Sequence, residues 1–267
     1  MTTDRTVDAI LPAGGRIKWG FAARVGTKMK ALIPFEGQTV LERALASVRE
    51  TGRVRRVVVI GPEEIAAHPA AQGADAVLAD TGSAPTNIFR GLECLRTANG
   101  GSHADRVLIM TTDLPFVTSE AVSGLLEACP READISLPVI GRAAFDGRFP
   151  GAPRRYARLL DGEWLIGGAA LIEPTAIDSN HAHIKRAFAA RKSVLALASL
   201  LGLRFLVRCI RRRLTVADIE RRCEEILRCT GRAVRGCAPE LAYDIDWHKD
   251  YRYAVESINC RDRAKAE

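Results

Sequence analysis

Three short segments carry residue types suited to phosphate chemistry. The first is Leu11-Pro12-Ala13-Gly14-Gly15-Arg16. Two adjacent glycines let the backbone approach a ligand closely and aim N–H groups at phosphate oxygens. The same pair also makes an ordinary tight turn, and the segment is neither a P-loop nor a GxGxxG fingerprint. The second is the stretch KMKALIPFEGQTVLER at residues 28–43. Here the Lys30 ammonium is placed to neutralise charge that builds during phosphoryl transfer, although a lone lysine is more often a solvated surface group. The third is Thr111-Thr112-Asp113-Leu114-Pro115-Phe116, which sets a carboxylate before a proline-fixed turn. A hard oxygen ligand there suits Mg²⁺, which binds one or two carboxylates plus substrate phosphates. An isolated aspartate equally fits an Asx-turn or a helix cap. The five histidines (His68, His103, His181, His183 and His248) form no cluster in the sequence, and no Ser/His/Asp or Cys/His arrangement is evident.

Short apolar runs must position these residues. Residues 7–11, 54–60, 74–79, 106–111 and 134–139 predict buried strands. Amphipathic stretches lie between them at 39–50, 87–95 and 119–128, and Thr39 with Glu42 spells a capping box at the start of the first. Lys30 leads into what the pattern predicts as an apolar strand and then a Gly turn. Strands alternating with helices imply βαβ units and a mostly parallel sheet covered on both faces. Ligands in such sheets sit at the carboxyl ends of the strands, so chemistry is expected in the loops after Leu11, Ala79 and Thr111. Beyond Pro138 the texture changes. Residues 141–155 form a Gly/Pro/Arg-rich loop, and 156–160 pairs with 164–172 as a hairpin across Asp161-Gly162. A helical, basic stretch follows, then a strand at 241–246, a short helix from Lys249 and a frayed tail after Asn259.

The chain has 267 residues, 47% hydrophobic and 27% charged, with a net charge of +7. That excess is local: residues 183–236 carry +10 and the remainder −3, which argues against a chain that coats nucleic acid uniformly. Seven cysteines, scattered and without a CxxC pair, suit reduced thiols and give no zinc spacing. Met1 to Val7 has no apolar leader core and no apolar run is long enough to span a bilayer, so the expectation is a cytoplasmic protein.

Taken in order, AILPAGGR, KALIPFEGQTVLERAL, TTDLPF and Tyr243-Asp244-Ile245-Asp246 resemble the MobA-like NTP transferase family, related to the molybdenum-cofactor guanylyltransferase and the sugar-phosphate cytidylyltransferases. The resemblance covers roughly residues 7–140 and 240–256. It implies a three-layer α/β/α, nucleotide-diphospho-sugar transferase-like fold. By the same resemblance Leu11, Ala13, Gly14 and Gly15 contact the nucleotide, and Lys30 holds the triphosphate. Asp80-Thr81-Gly82-Ser83 reads the base, with Asn87 opening the next helix. Asp113 ligates Mg²⁺, the second ligand being Asp244 or Asp246, with Asp246 favoured because it directly precedes the terminal helix. Gly167 and Gly168 fall where relatives line the acceptor pocket. The family's Gly-rich turn closed by Arg-Met is here stretched between Gly15 and Lys30, and Gly26-Thr27-Lys28-Met29 resembles a displaced version. That makes Lys28 a second candidate for the triphosphate.

The expected function is Mg²⁺-dependent transfer of an NMP group from an NTP to a small phosphorylated acceptor, releasing pyrophosphate, with Lys30 and Asp113 as catalytic residues. The alternatives are a non-catalytic nucleotide-binding module and a nucleotide-sugar-using glycosyltransferase. The latter normally shows Asp-x-Asp on the metal strand, which Thr111-Thr112-Asp113 lacks. The expected organisation is one domain over 1–267 with a basic helical insert at about 174–236. The insert has three readings: a packing or homodimerising cap, contact with an anionic membrane, or nucleic-acid binding. The last is disfavoured because Phe188 and Phe205 are the only aromatic residues among its arginines.

Overall fold

The computed structural model describes residues 7–190 and 194–266. Residues 1–6, where the sequence shows no apolar leader core, and 191–193, where the apolar run of the insert begins, lie outside the described residues. The chain opens on β1 (Val7–Pro12), then α1 (Trp19–Val25) and a 3-10 turn at Lys30–Leu32. The hairpin of β2 (Pro34–Phe35) and β3 (Gln38–Thr39) leads into α2 (Val40–Arg49). Next come β4 (Val54–Gly61), α3 (Glu63–Ala66), β5 (Ala76–Ala79), α4 (Ala84–Ala98), β6 (Arg106–Met110), α5 (Ser119–Ala128) and β7 (Ile135–Gly141). After α6 (Arg142–Arg148) the chain forms β8 (Ala157–Leu159), β9 (Gly162–Ile166) and β10 (Ala169–Ile172). A helical stretch follows: α7 (Pro174–Ser179), α8 (His181–Ala190), α9 (Val194–Leu201), α10 (Leu203–Ile210) and α11 (Val216–Leu227). The chain ends with β11 (Gly231–Val234) and α12 (His248–Ala266).

The main sheet runs β5-β4-β1-β6-β10-β7-β9-β8, with β11 also on β7. β5, β4, β1 and β6 are parallel, and β10 enters antiparallel between β6 and β7. Alternation along the parallel strands explains the three layers. Ala9, Leu11, Val57 and Val59 point to the face covered by α2 and α5, whereas Ile10, Val58 and Ile60 meet α4 on the other. Both faces are therefore apolar over the strands' central residues, which is why Ala9–Leu11, Val57–Ile60 and Val107–Met110 read as short unbroken hydrophobic runs. A third cluster gathers Phe35, Phe116, Phe145, Phe149 and Tyr243 near the carboxyl edge. The chain goes from β1 outward to β4 and β5, then returns to place β6 on the other side of β1. Such a reversal opens a crevice at the strand ends.

Five expectations are corrected. Residues 141–155 are not loop throughout: Arg142–Arg148 forms α6, with Phe145 buried. Residues 241–246 are not a strand: Pro239–Ala242 is a 3-10 turn, and Tyr243 is buried against Phe116 and Phe149. The stretch after Lys30 begins as a 3-10 turn and reaches extended backbone only at Pro34. The predicted second hairpin arm divides at Gly167-Gly168, β9 pairing with β8 and β10 joining the main sheet. The final helix is not short, and it continues past Asn259 to Ala266. Among the described residues no helix is long and apolar enough to cross a membrane.

Candidate active site

The crevice between the ends of β1 and β6 is floored by the glycine turn. Thr112 Oγ1 donates to Pro12 O at 2.9 Å and ties the two strand ends together. The stretched loop behind Gly15 is closed at its base. Lys30 N donates to Gly15 O at 2.9 Å, Arg16 bridges Met29, and Ile17 N donates to Lys28 O at 3.0 Å. This short ladder sets Lys30 beside the glycines despite the intervening helix α1. Gly14 has no room for a side chain: a Cβ there would lie 2.5 Å from Asp80 Oδ2.

Asp80 directly follows β5 and organises its loop. Its Oδ1 accepts from Gly82 N at 2.8 Å and from Asn87 Nδ2 at 2.6 Å. Asn87 Oδ1 in turn accepts from Thr81 N and Thr81 Oγ1. The Asp80–Asn87 pair thus holds an open loop at the start of α4. A cavity of about 450 Å³ results, lined by Gly14, Gly15, Lys30, Asp80, Gly82, Asn87, Thr111, Thr112 and Asp113, with Pro12, Ile60, Ala84 and Ile88 as its apolar surfaces.

At one end of the cavity the charges concentrate. Asp113 follows β6, and its backbone O accepts from Ile245 N at 3.0 Å, which brings the 244–246 segment alongside. One carboxylate oxygen from each of Asp113, Asp244 and Asp246 falls within 4.8 Å of the others. Lys30 Nζ donates to Asp113 Oδ2 at 3.1 Å and also to Asp246 Oδ1. Burial opposes the Lys30 ammonium, but the Asp113 charge and the hydrogen bonds to Asp246 and Asp113 outweigh it and hold its pKa above the ordinary lysine value. Burial lifts the Asp244 carboxyl to about 6, with Arg154 opposing and the charges of Asp113 and Asp246 adding. Burial acts on Asp246 in the same direction, yet its hydrogen bond to Lys30 prevails and its pKa lies below the ordinary value. Asp113 Oδ1 is buried without a hydrogen-bond partner. Three clustered carboxylates, one with a spare inward oxygen, fit a hard divalent cation such as Mg²⁺ or Mn²⁺.

Sequence reasoning did not single out the clamp that holds this segment. Asp250, buried on α12, accepts from Asp246 N and Trp247 N at 3.2 and 2.8 Å. Arg154 bridges Asp250 Oδ1 and Asp244 Oδ1, each at 3.3 Å, and packs over the Tyr243 ring. Arg154 belongs to the Arg-rich loop, and only the three-dimensional return of the C-terminal segment gives it a partner. The remaining candidates lie outside the cavity lining. Leu11 and Ala13 are fully buried, and Ala13 N donates to Ile60 O. Lys28 is exposed. Gly168 packs against Thr111 and Leu114: a Cβ there would lie 2.5 Å from Thr111 Oγ1, and its O accepts from Thr111 N. Gly167 is held against Pro138 and Leu241.

The MobA-like NTP transferase domain matches residues 9–219, so the 244–246 carboxylates lie beyond the matched region. A protein described as a hypothetical transferase from Thermus thermophilus is 31% identical, with a TM-score of 0.78 covering 92% of this chain and 99% of that one. A 2-C-methyl-D-erythritol 4-phosphate cytidylyltransferase, also from Thermus thermophilus, shares the fold at 20% identity and a TM-score of 0.55, over 94% of this chain and 98% of that one. Among curated sequences, the 3-deoxy-manno-octulosonate cytidylyltransferase of Chelativorans sp. (strain BNC1) is 32% identical over 114 residues, 42% of this chain and 44% of that protein. The chain spans less than half the length of the curated relatives it matches.

Proposed function

This chain belongs to the MobA-like NTP transferase domain family, and we propose that it transfers a nucleotidyl group from an NTP to a small phosphorylated acceptor with release of pyrophosphate. The observation that carries this reading is Lys30 Nζ bonded to both Asp113 and Asp246 at the end of the glycine-turn cavity. In this reading the triphosphate lies along Gly14 and Gly15, whose backbone admits close approach. The base and ribose enter the loop held by Asp80, Gly82 and Asn87, against Ile60 and Ile88. Lys30 balances the charge of the triphosphate, and Lys28, exposed on the outer loop, is a steering rather than a contacting lysine. Asp113 and Asp246, joined by Asp244, would hold Mg²⁺, which when bound supplies positive charge against the phosphate oxygens.

An acceptor phosphate oxygen, entering past Gly167 and Gly168, attacks the α-phosphorus. A bond forms between that oxygen and phosphorus as the bond to the α,β-bridging oxygen breaks, and pyrophosphate leaves with the electron pair. The residues contribute positioning and charge rather than covalent chemistry, which is what this class of transfer requires. Arg154 and Asp250 act as positioning residues by fixing the 244–246 segment. CTP is the first nucleotide to try, since the Chelativorans relative is named for cytidylyl transfer. The test is pyrophosphate release with Mg²⁺ from ATP, CTP, GTP and UTP, each supplied with a pool of sugar phosphates and polyol phosphates. Acceptor-dependent release from one NTP, lost in Asp113→Ala, is expected. Tight NTP binding that needs no Mg²⁺ and releases no pyrophosphate from any NTP in the pool would refute it in favour of a binding module.

A further inference from the structure

Helix α10 takes no part in the site above, yet its surface is unusual for an exposed element. Leu203, Val207 and Ile210 lie on one face at i, i+4 and i+7, and they are 76%, 38% and 81% exposed. No residue of α10 is buried. Arg204, Arg208 and Arg211 run beside this stripe at the same spacing, followed by Arg212 and Arg213. Arg208 is paired with Asp218. Arg204, Arg211, Arg212 and Arg213 have no side-chain partner among the described residues, so the stripe presents uncompensated charge next to exposed hydrocarbon.

A cleft of about 560 Å³ opens beside α10, with Arg212 and Cys209 on one wall and Arg155, Arg158 and Arg142 on the other. Arg155 also has no side-chain partner among the described residues. At the inner end of the cleft is Arg154, which bonds Asp244. Arg142 and Arg158 share Glu163, and Arg154 is paired with Asp244 and Asp250, so the guanidinium groups left unpaired in the cleft, among the described residues, are those of Arg155 and Arg212 at its outer side.

The occupant of this face must satisfy both features. A second copy related by a two-fold axis would set Arg204 and Arg211–Arg213 against their own equivalents, a like-charge contact. Nucleic acid would meet the arginines but give Leu203 and Ile210 no apolar partner. An anionic phospholipid surface meets both, taking the aliphatic stripe at the headgroup boundary and the guanidinium groups on its phosphates. We infer that α10 docks this protein reversibly on an anionic phospholipid surface, with the arginine cleft facing the lipid phosphates.

The test uses the full chain in flotation with phosphatidylcholine vesicles and with vesicles of equal parts phosphatidylcholine and phosphatidylglycerol. Binding to the anionic vesicles alone, weakened by salt, is expected. Leu203→Asp/Ile210→Asp and Arg211→Glu/Arg213→Glu should each reduce it more than about tenfold, since each basic residue near the surface contributes on the order of 1 kcal/mol. These positions are exposed, and an unchanged melting temperature and nucleotide affinity would show that each variant remains folded. Equal recovery with both vesicle types, no recovery with either, or wild-type binding by the two double variants would overturn the inference. So would light scattering showing a dimer that Leu203→Asp/Ile210→Asp dissolves, or RNA displacing the protein from the anionic vesicles by binding this face. Each of those results leaves the nucleotidyl-transfer reading intact.

Discussion

Replacing Lys30 with methionine removes the cation that bridges Asp113 and Asp246. The ammonium sits 3.1 Å from Asp113 Oδ2, and the side chains are 17% and 16% exposed. At an effective dielectric near 20, an attraction at about 3 Å amounts to roughly 5 kcal/mol. Unscreened by Lys30, each carboxylate pair within the 4.8 Å cluster would repel by about 3 kcal/mol at the same dielectric. Against these stands the relief of no longer burying an ammonium, and Asp246 is half exposed, so solvent screens its share. The expected net cost without metal is about 2–3 kcal/mol, a fall of roughly 5–10 °C in melting temperature for a chain of this size. Differential scanning fluorimetry in EDTA reads it directly. Adding Mg²⁺ should then raise the variant's melting temperature more than the wild type's, because its carboxylates lack an internal counter-ion. Lys28→Met, at an exposed position, serves as the control. Equal melting of Lys30→Met and wild type in EDTA, or an identical Mg²⁺ response, would refute the electrostatic argument.

Gly14→Ala places a Cβ 2.5 Å from Asp80 Oδ2. It should push Asp80 off Gly82 and Asn87 and weaken NTP binding about tenfold by calorimetry, an effect worth about 1.4 kcal/mol; unchanged affinity would separate this loop from the nucleotide. Gly91→Ala sets a Cβ 2.8 Å from Ile10 Cδ1 and 3.2 Å from Ile60 Cδ1, where α4 lies against the sheet. Overpacking of about 1–3 kcal/mol should exceed the roughly 1 kcal/mol gain in helix propensity, so a lower urea midpoint is expected. Thr39→Ala removes the capping box whose two halves, Glu42 N to Thr39 Oγ1 and Thr39 N to Glu42 Oε2, are both formed. A loss of about 1 kcal/mol at unchanged m-value is expected from urea unfolding.

Much of this architecture was legible because local and tertiary demands agree. The strand β4 is apolar on both faces from Val57 to Ile60 because both faces are covered there, and Thr39 with Glu42 marked the start of α2 correctly. Asp113 stood out because a carboxylate after a buried strand lands at the crevice. Residues 241–246 misled because Leu-Ala-Tyr has strand composition, while its backbone is claimed by a 3-10 turn and by Asp113 O. The sequence favoured Asp246 over Asp244 as the second carboxylate, and the structure brings both beside Asp113, with Lys30 bonded to Asp246. Arg154 and Asp250 were invisible for another reason. Their roles exist only across 96 residues of chain, where no spacing rule reaches.

We propose attack at the α-phosphorus in the Lys30–Asp113–Asp246 centre. Parallel reactions with α-labelled and γ-labelled NTP, the acceptor pool and Mg²⁺ test it most directly. The α-label should move into an acceptor-dependent product while the γ-label appears in pyrophosphate, and both transfers should vanish in Asp113→Ala. Movement of the γ-label onto the acceptor, or its release as orthophosphate, would contradict the account.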